Sequence, residues 1–535
     1  MNIDNPTKNS WLSSSTLHFS WIQSFFIVFF FLLIRLLLNN FLAVNEADVL
    51  PAAKQFMDRS WIPGDWYLNQ EIGYRVFFNV FIGMLARFLS FQMVSLLGRI
   101  IVIVLWSFLI TGYIHRMKIS VVFIIPLLWI LITEQSIIAG EWMIWALETK
   151  TFSYLFLMAA FLFLSQKRYL WAALFLGFSV SFHVLIGGYG TLCFIMLLLF
   201  ERMYLQINNK VFVKALLLYL VSASIGLFAI YQNFSSPSDI DKVRAGLIYV
   251  NSRVSHHVLP SYWLHRGGLW KPILKLIFSL TIIIYIAIKP WNKFSRLFSR
   301  FALLSLFFAL AGMIFFMIGR IYLLKFYPFR LSDSLFPLTA YLLLFSFVSR
   351  PKFVYGRIIT TRIKKISGII ISILIIALMS IPFYNSTVKL FTDPDYYLSY
   401  LSLENSQREL YTWIRLKTKK DSLFLVPPGE ERFYLAAERS QFVDFKHSPQ
   451  TEENILEWYK RLMLLSNKSS DPTGYTIDLD KIKIAYWQLS TENLKNIAKE
   501  YNVDYYISHI RSDLSFKAIF SVGEWAVYDL GVEDN

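Results

Sequence analysis

Apolar runs dominate the first 385 positions, separated by short polar stretches. Windows near 22–39, 96–114, 119–133, 152–164, 169–186, 188–202, 213–231, 272–288, 301–318, 335–348 and 367–385 predict eleven membrane spans. Several are shorter than the roughly 20 residues a perpendicular helix needs, so their ends are approximate. The stretch Arg75 to Ser90 (RVFFNVFIGMLARFLS) is also apolar, and topology decides its role. Basic clusters at His115 to Lys118, Lys167 and Arg168, Lys289 to Arg300 and Arg350 to Lys365 belong on the cytoplasmic side by the positive-inside rule. With Lys8 inside as well, they fit one parity only if 75–90 lies along the membrane without crossing. The expectation is therefore a cytoplasmic N-terminus, an uncleaved first helix and a C-terminal end outside.

After residue 385 the pattern becomes that of a soluble unit. Asp421 to Pro428, Ser440 to Phe445, Val503 to His509 and Glu524 to Leu530 alternate as strands do. Thr451 to Leu465 and Ser490 to Tyr501 read as helices, each opened by a Ser or Thr N-cap with an acid in its first turn. The fold class is thus mainly α, a polytopic transmembrane bundle over 1–385 with a soluble α/β domain over 386–535 on the outer side.

Composition agrees with this division. Of 535 residues, 56% are hydrophobic and 18% aromatic, more apolar surface than a soluble domain of this size can hide. Mean hydropathy is +0.48. The formal charge of +16 comes entirely from the first 385 residues, which hold 34 basic and 13 acidic side chains, while 386–535 is net −5. Excess base in a membrane region sets topology and meets anionic lipid, so nucleic acid is not an expected partner and membrane lipids are. The single cysteine, Cys193, carries no information on redox compartment.

Eleven of the 13 acids before residue 386 fall in outer loops: Glu46, Asp48, Asp58, Asp65, Glu71, Glu134, Glu141, Glu148, Asp239, Asp241 and Asp333; Asp4 and Glu201 fall inside. Outer loops that are simply longer explain this as well as outward-facing chemistry does. Glu46 and Asp48, one residue apart in an extended loop, point the same way and suit a shared metal ion or a substrate hydroxyl; a solvated loop with a helix cap is the plain alternative. Glu134, Glu141 and Glu148 recur every seven residues, which places them on nearly one face if the segment is a helix along the membrane surface, with Lys150 neutralising Glu148. Arg253, His256, His257, His265 and Arg266 crowd fourteen positions and suit an anion such as phosphate better than zinc, because adjacent histidines point apart; a structural polar loop fits equally. Arg320, Lys325 and Arg330 approach an outer boundary, where Lys325 and Arg330 suit a lipid phosphate and Arg320 a snorkelling role. His183, in SFHVLIGGYG, sits where two spans meet across a break at Gly187 and Gly188, and an ionisable group at that depth is a functional candidate or is bonded to a neighbouring helix.

These elements together resemble the GT-C superfamily of membrane glycosyltransferases: an acid-bearing first outer loop (NEAD), juxtamembrane helices, a second acidic outer loop and a soluble C-terminal domain. The stretches ETKTFSY, SFHVLIGG, RVSHHVLP, YPFRLSD and RSQFVDFKHSP are similar to an uncharacterised bacterial membrane family placed within GT-C. The resemblance implies an inverting transfer from a sugar on a polyprenyl-phosphate-type lipid donor, at the outer face of the cell inner membrane. It makes Asp48 or Glu46 the general base, Glu141 and Glu148 the acids of the second loop, and Arg330, Lys325, Arg253, His256 and His257 the phosphate contacts. The second loop lacks the D-x-D of the oligosaccharyltransferase branch, which leaves a divalent cation open. A transporter or flippase of lipid-linked saccharides and a non-catalytic membrane scaffold are the rival readings.

Overall fold

A computed structural model describes residues 19–37, 45–70, 75–144, 146–234, 241–350, 359–392, 403–466 and 475–531. Asp4, Lys8, Glu71, Asp239 and the basic stretch over 351–358 lie outside these described residues. The helices are α1 (Trp21–Leu37), α2 (Glu46–Met57), α3 (Val76–Phe88), α4 (Phe91–Met117), α5 (Ile124–Thr133), α6 (Thr149–Ser165), α7 (Tyr169–Phe182), α8 (Val184–Phe200), α9 (Arg202–Leu205), α10 (Asn209–Phe234), α11 (Lys242–Ile248), α12 (Ser255–Val258), α13 (Pro260–His265), α14 (Trp270–Ile288), α15 (Lys293–Met317), α16 (Arg330–Val348) and α17 (Ile359–Thr392).

Five of them, α4, α10, α14, α15 and α16, are long and apolar enough to cross a membrane, which marks the chain as a membrane protein. The remaining apolar windows fall on shorter apolar helices. Leu217, Val221 and Phe228 on α10, Ile277 and Ile284 on α14, and Phe307 and Leu310 on α15 face outward. Such a belt aggregates in water but is at home among lipid tails. In contrast, α16 is buried along most of its length, with Leu331, Leu335, Phe336 and Leu342 in the core and Arg330 and Asp333 in its first turn.

Two features position the loops that carry acids. The first is α3, whose 13 residues span about 20 Å, short of the roughly 30 Å hydrocarbon layer. It packs so closely along α2 that a Cβ on Gly83 would lie 2.2 Å from the Ala53 carbonyl oxygen, a contact only glycine permits. The second is the C-terminal unit, whose sheet runs β2-β1-β3-β5-β4. Strands β1 (Leu423–Leu425), β2 (Ser440–Gln441) and β3 (Tyr505–His509) are parallel, and β4 (Lys517–Val522) and β5 (Trp525–Asp529) extend the sheet antiparallel from β3.

Four of these strands lie where the alternation predicts them, and β4 is an addition. Its residues are largely solvent-facing, so the apolar half of its alternation is weak. The helix Thr491–Tyr501 is closed by a capping box between Ser490 and Asn493. The helix Glu452–Leu464 departs from expectation, since the Thr451 side chain makes no capping bond. Helices Asn405–Lys417 and Leu479–Trp487 complete the unit, and α17 continues past residue 385 to Thr392.

The sheet unit docks on the loop end of the bundle. One apolar cluster joins Ala139, Ile248, Val250 and Trp263 to Phe442, Trp458 and Leu462, while Tyr434 and Leu435 enter the main helical core. Each such buried side chain contributes on the order of 1.5–3 kcal/mol.

Candidate functional site

Residues 46–57 form a helix rather than an extended strand, so the two acids of the first loop diverge. With 100° per residue, Glu46 and Asp48 in the first turn of α2 point to opposite sides, and the shared site expected of them does not form. Glu46 is fully buried and accepts from Ser95 Oγ at 2.7 Å, Arg99 Nε at 2.7 Å, Arg99 Nη2 at 2.9 Å and the Leu147 N–H at 2.7 Å. Asp48 accepts from the Tyr67 hydroxyl at 2.5 Å and pairs with Arg75 Nη1 at 2.9 Å. Burial alone would push the Asp48 carboxyl up; Arg75, with His447 and the Tyr67 hydroxyl, outweighs it and holds the group below the usual carboxylate range.

The second loop is likewise not the expected helix. After α5 ends at Thr133 the described residues are irregular up to Glu148, which precedes α6, so the spacing of seven gives no common face. Glu134 leaves the group altogether and pairs with Lys275. Two buried side chains shape the loop instead. Asp333 accepts from the Ser136 hydroxyl at 2.5 Å and from the N–H groups of Ile137 (3.0 Å), Ile138 (2.7 Å), Ala139 (3.0 Å) and Glu141 (3.3 Å). Gln135 Oε1 accepts from the N–H groups of Met143 at 2.7 Å and Ile144 at 2.9 Å.

So wound, the loop brings Glu141 and Glu148 to a shared cation. Lys150 Nζ lies 3.5 Å from Glu141 and 3.6 Å from Glu148, and Glu148 also accepts from Asn45 at 3.1 Å, just before α2. Arg330 Nε donates to Glu141 at 3.1 Å, its Nη1 lies 3.1 Å from His183 Nε2, and its guanidinium stacks 3.9 Å from the Tyr327 ring centroid. Burial pushes the Glu141 carboxyl up, while Arg330, Lys150 and His257 pull it down and prevail. The α7–α8 break falls at His183 itself, with extended backbone, and not at the glycines expected to make it. Gly187 lies inside α8, where a Cβ would sit 2.3 Å from the Val180 backbone nitrogen. It sets how closely the two helices approach beneath His183.

The basic loops join this group only in part. Arg253 keeps a buried Nε without a hydrogen-bond partner among the described residues. Tyr249 and Tyr327 have hydroxyls 3.3 Å apart, and Tyr327 lies within the electrostatic reach of both Arg253 and Arg330. His257 Nδ1 is bound to the Ala139 carbonyl oxygen of the second loop. Burial pushes His257 down to about 3 and His256 to about 4, so both rings are neutral at pH 7. His257, with its Nδ1–H directed at that carbonyl, ties the basic loop to the second loop. Lys325 is engaged in an ion pair with Glu452 of the C-terminal unit.

The assembled group is a buried, charge-balanced array: Glu46 with Arg99, Asp48 with Arg75, and Glu141 and Glu148 with Lys150 and Arg330. Its donors do not suit a divalent cation, since each acid already faces a guanidinium or ammonium, and among the described residues no group of three or more His, Cys, Asp or Glu side chains is placed to hold a metal ion. Sequence reasoning assigned no role to Arg75, Tyr67, Arg99, Gln135, Tyr249 or Tyr327. Arg75 had a signal of its own, as a lone guanidinium opening an apolar helix. Asp333 had been counted only among the outer acids.

No curated protein matches the chain. Residues 405–465, which hold the first helix, β1, β2 and the helix Glu452–Leu464 of the C-terminal unit, match the model of a domain of unknown function, DUF6798.

Proposed function

We propose that this protein is a membrane glycosyltransferase of GT-C organisation, moving a sugar from a polyprenyl-phosphate-type lipid donor to an acceptor at the outer face of the cell inner membrane. On this reading the chain crosses the bilayer eleven times from a cytoplasmic N-terminus, and α2, α3 and the sheet unit lie outside. The observation that carries the proposal is the meeting of the first loop, the second loop, His183 and the start of α16 in one buried polar group. Asn45 bonding Glu148 and Leu147 bonding Glu46 tie the two loops together directly.

The chemistry assigns a side chain to each developing charge. Asp48 takes the proton of the acceptor hydroxyl as its oxygen bonds to the anomeric carbon, and the bond from that carbon to the donor phosphate breaks with inversion. A carboxylate held low by Arg75 stays ionised at neutral pH and accepts the proton late, once positive charge has grown on the sugar ring. Arg330, two of whose nitrogens face Glu141 and His183, has Nη2 left for the departing phosphate, and Arg253 has its buried Nε.

The test is reconstitution of the whole chain in liposomes with polyprenyl-phosphate sugars, comparing wild type with Asp48→Asn. Transfer by wild type that the substitution abolishes supports the assignment. Undiminished transfer by D48N removes Asp48 as the base, and absence of transfer with any donor overturns the enzyme reading.

A further inference from the structure

The C-terminal unit reaches the Asp48 carboxylate from the other side. The His447 ring packs on two tyrosines, with centroids 5.4 Å from Tyr67 and 5.0 Å from Tyr434. Both phenols are committed to first-loop carboxylates: Tyr67 donates to Asp48 at 2.5 Å and Tyr434 to Asp65 at 3.1 Å. The imidazole is itself fixed. Its Nδ1 lies 3.3 Å from Asp444 Oδ2 and 3.0 Å from Gln441 Nε2, and Asp444 accepts from the N–H groups of Gly429, Lys446 and His447.

The choice of an imidazole here has a cost that packing does not explain. His447 Nε2 is buried and has no hydrogen-bond partner among the described residues, and leaving such an atom unpaired is destabilising. A phenylalanine would fill the same space without that cost. What a phenylalanine lacks is the Nδ1 contact with Asp444. The charged groups around the ring are Asp444 on its own segment, Asp48 with its partner Arg75, and Asp65 behind Tyr434.

We propose that His447 is a positioning residue for Asp48, supplied by the C-terminal unit: Asp444 fixes the imidazole, the imidazole fixes Tyr67, and the Tyr67 hydroxyl aims the carboxylate. The inference rests on the reading of Asp48 as the base, and makes the sheet unit a working part of the site.

The experiment places 3-fluorotyrosine at position 67 of the full-length chain in detergent and records its fluorine spectrum in wild type, His447→Gln and Asp444→Asn. Asp48→Ala, which removes the acceptor, serves as the reference for a broken Tyr67–Asp48 bond, and thermal unfolding of each variant reports folding. The expected result is a resonance displaced toward the D48A position in both variants while each still unfolds cooperatively. In the transfer assay kcat falls roughly tenfold with donor KM unchanged, the signature of a misaimed group. If H447Q does not fold, D444N, which keeps the ring and the side-chain shape, carries the same test. A resonance that stays at the wild-type position in a folded variant overturns the proposal. Because the fluorine spectrum needs no turnover, a chain without transferase activity defeats the functional reading while this arm still judges the role of His447.

Discussion

Glu46 and Asp48 stand in the same turn of one helix, and their surroundings could hardly differ more. Glu46 faces α4, has no exposed surface and receives four hydrogen bonds, two of them from Arg99. Asp48 faces the C-terminal unit, keeps 13% of its side chain exposed and is held by one phenol and one guanidinium. Saturated and dry, Glu46 can only hold α2, α4 and the second loop together. Asp48 retains lone pairs and a route to solvent, which a group that exchanges protons requires. Chemical type and spacing do not separate two such acids; the helical turn does, by sending one into the bundle and the other toward the opening.

Breaking the dry member should produce the largest effect. Glu46→Gln leaves the Arg99 guanidinium buried without a counter-charge, a loss of about 3–5 kcal/mol visible as a lower Tm and reduced yield in detergent. Adding Arg99→Met to remove both charges should recover much of that loss, and no recovery would show that the clamp acts through Ser95 and Leu147 instead. Next, Asp48→Asn should lower Tm less than E46Q does, while transfer falls about 100-fold or more. Equal damage to stability in E46Q and D48N would erase the distinction between the two acids.

A smaller effect should follow at Asp333, which organises the second loop as Glu46 organises the first. Asp333→Asn turns an acceptor into a donor facing N–H groups and should cost about 1–3 kcal/mol, read from Tm. The last concerns His257. Its folded pKa, about 3, lies below the unfolded value, so between roughly pH 6.5 and 3 the unfolded chain binds a proton that the folded chain does not. Stability therefore declines as pH falls through that window, by up to about 1.4 kcal/mol per pH unit for one proton. His257→Gln should flatten the Tm profile between pH 6.5 and 4.5, and an unaltered slope would place the titrating group elsewhere.

Legibility followed periodicity and failed where loops are shaped from a distance. The apolar windows could be read because a run of Leu, Ile and Phe carries its own signal, and every one of them falls on a helix. The loop from Glu134 to Glu148 could not be read, because its form is imposed by Asp333, nearly two hundred residues away in sequence. The same holds for Arg75 and Tyr67, whose partner Asp48 is near in sequence but is met only after α2 and α3 fold against each other. Exposed β4 escaped because a strand with one weakly buried face shows little alternation. Arg330 and His183 were singled out by their rarity at apolar boundaries, and the structure puts them 3.1 Å apart.

The bond from Ser440 to Asp65 has a consequence in time. Asp65 accepts from Ser440, Gln441 and Tyr434, and burial pushes its carboxyl upward. Ser440 is synthesised 375 residues after Asp65. At roughly 5–20 residues per second, the first loop waits about 20–75 s for the side chains that complete it. During that interval Asp65 lacks the partners that Tyr434, Ser440 and Gln441 supply. The order of synthesis thus delays completion of this polar corner until the sheet unit is made.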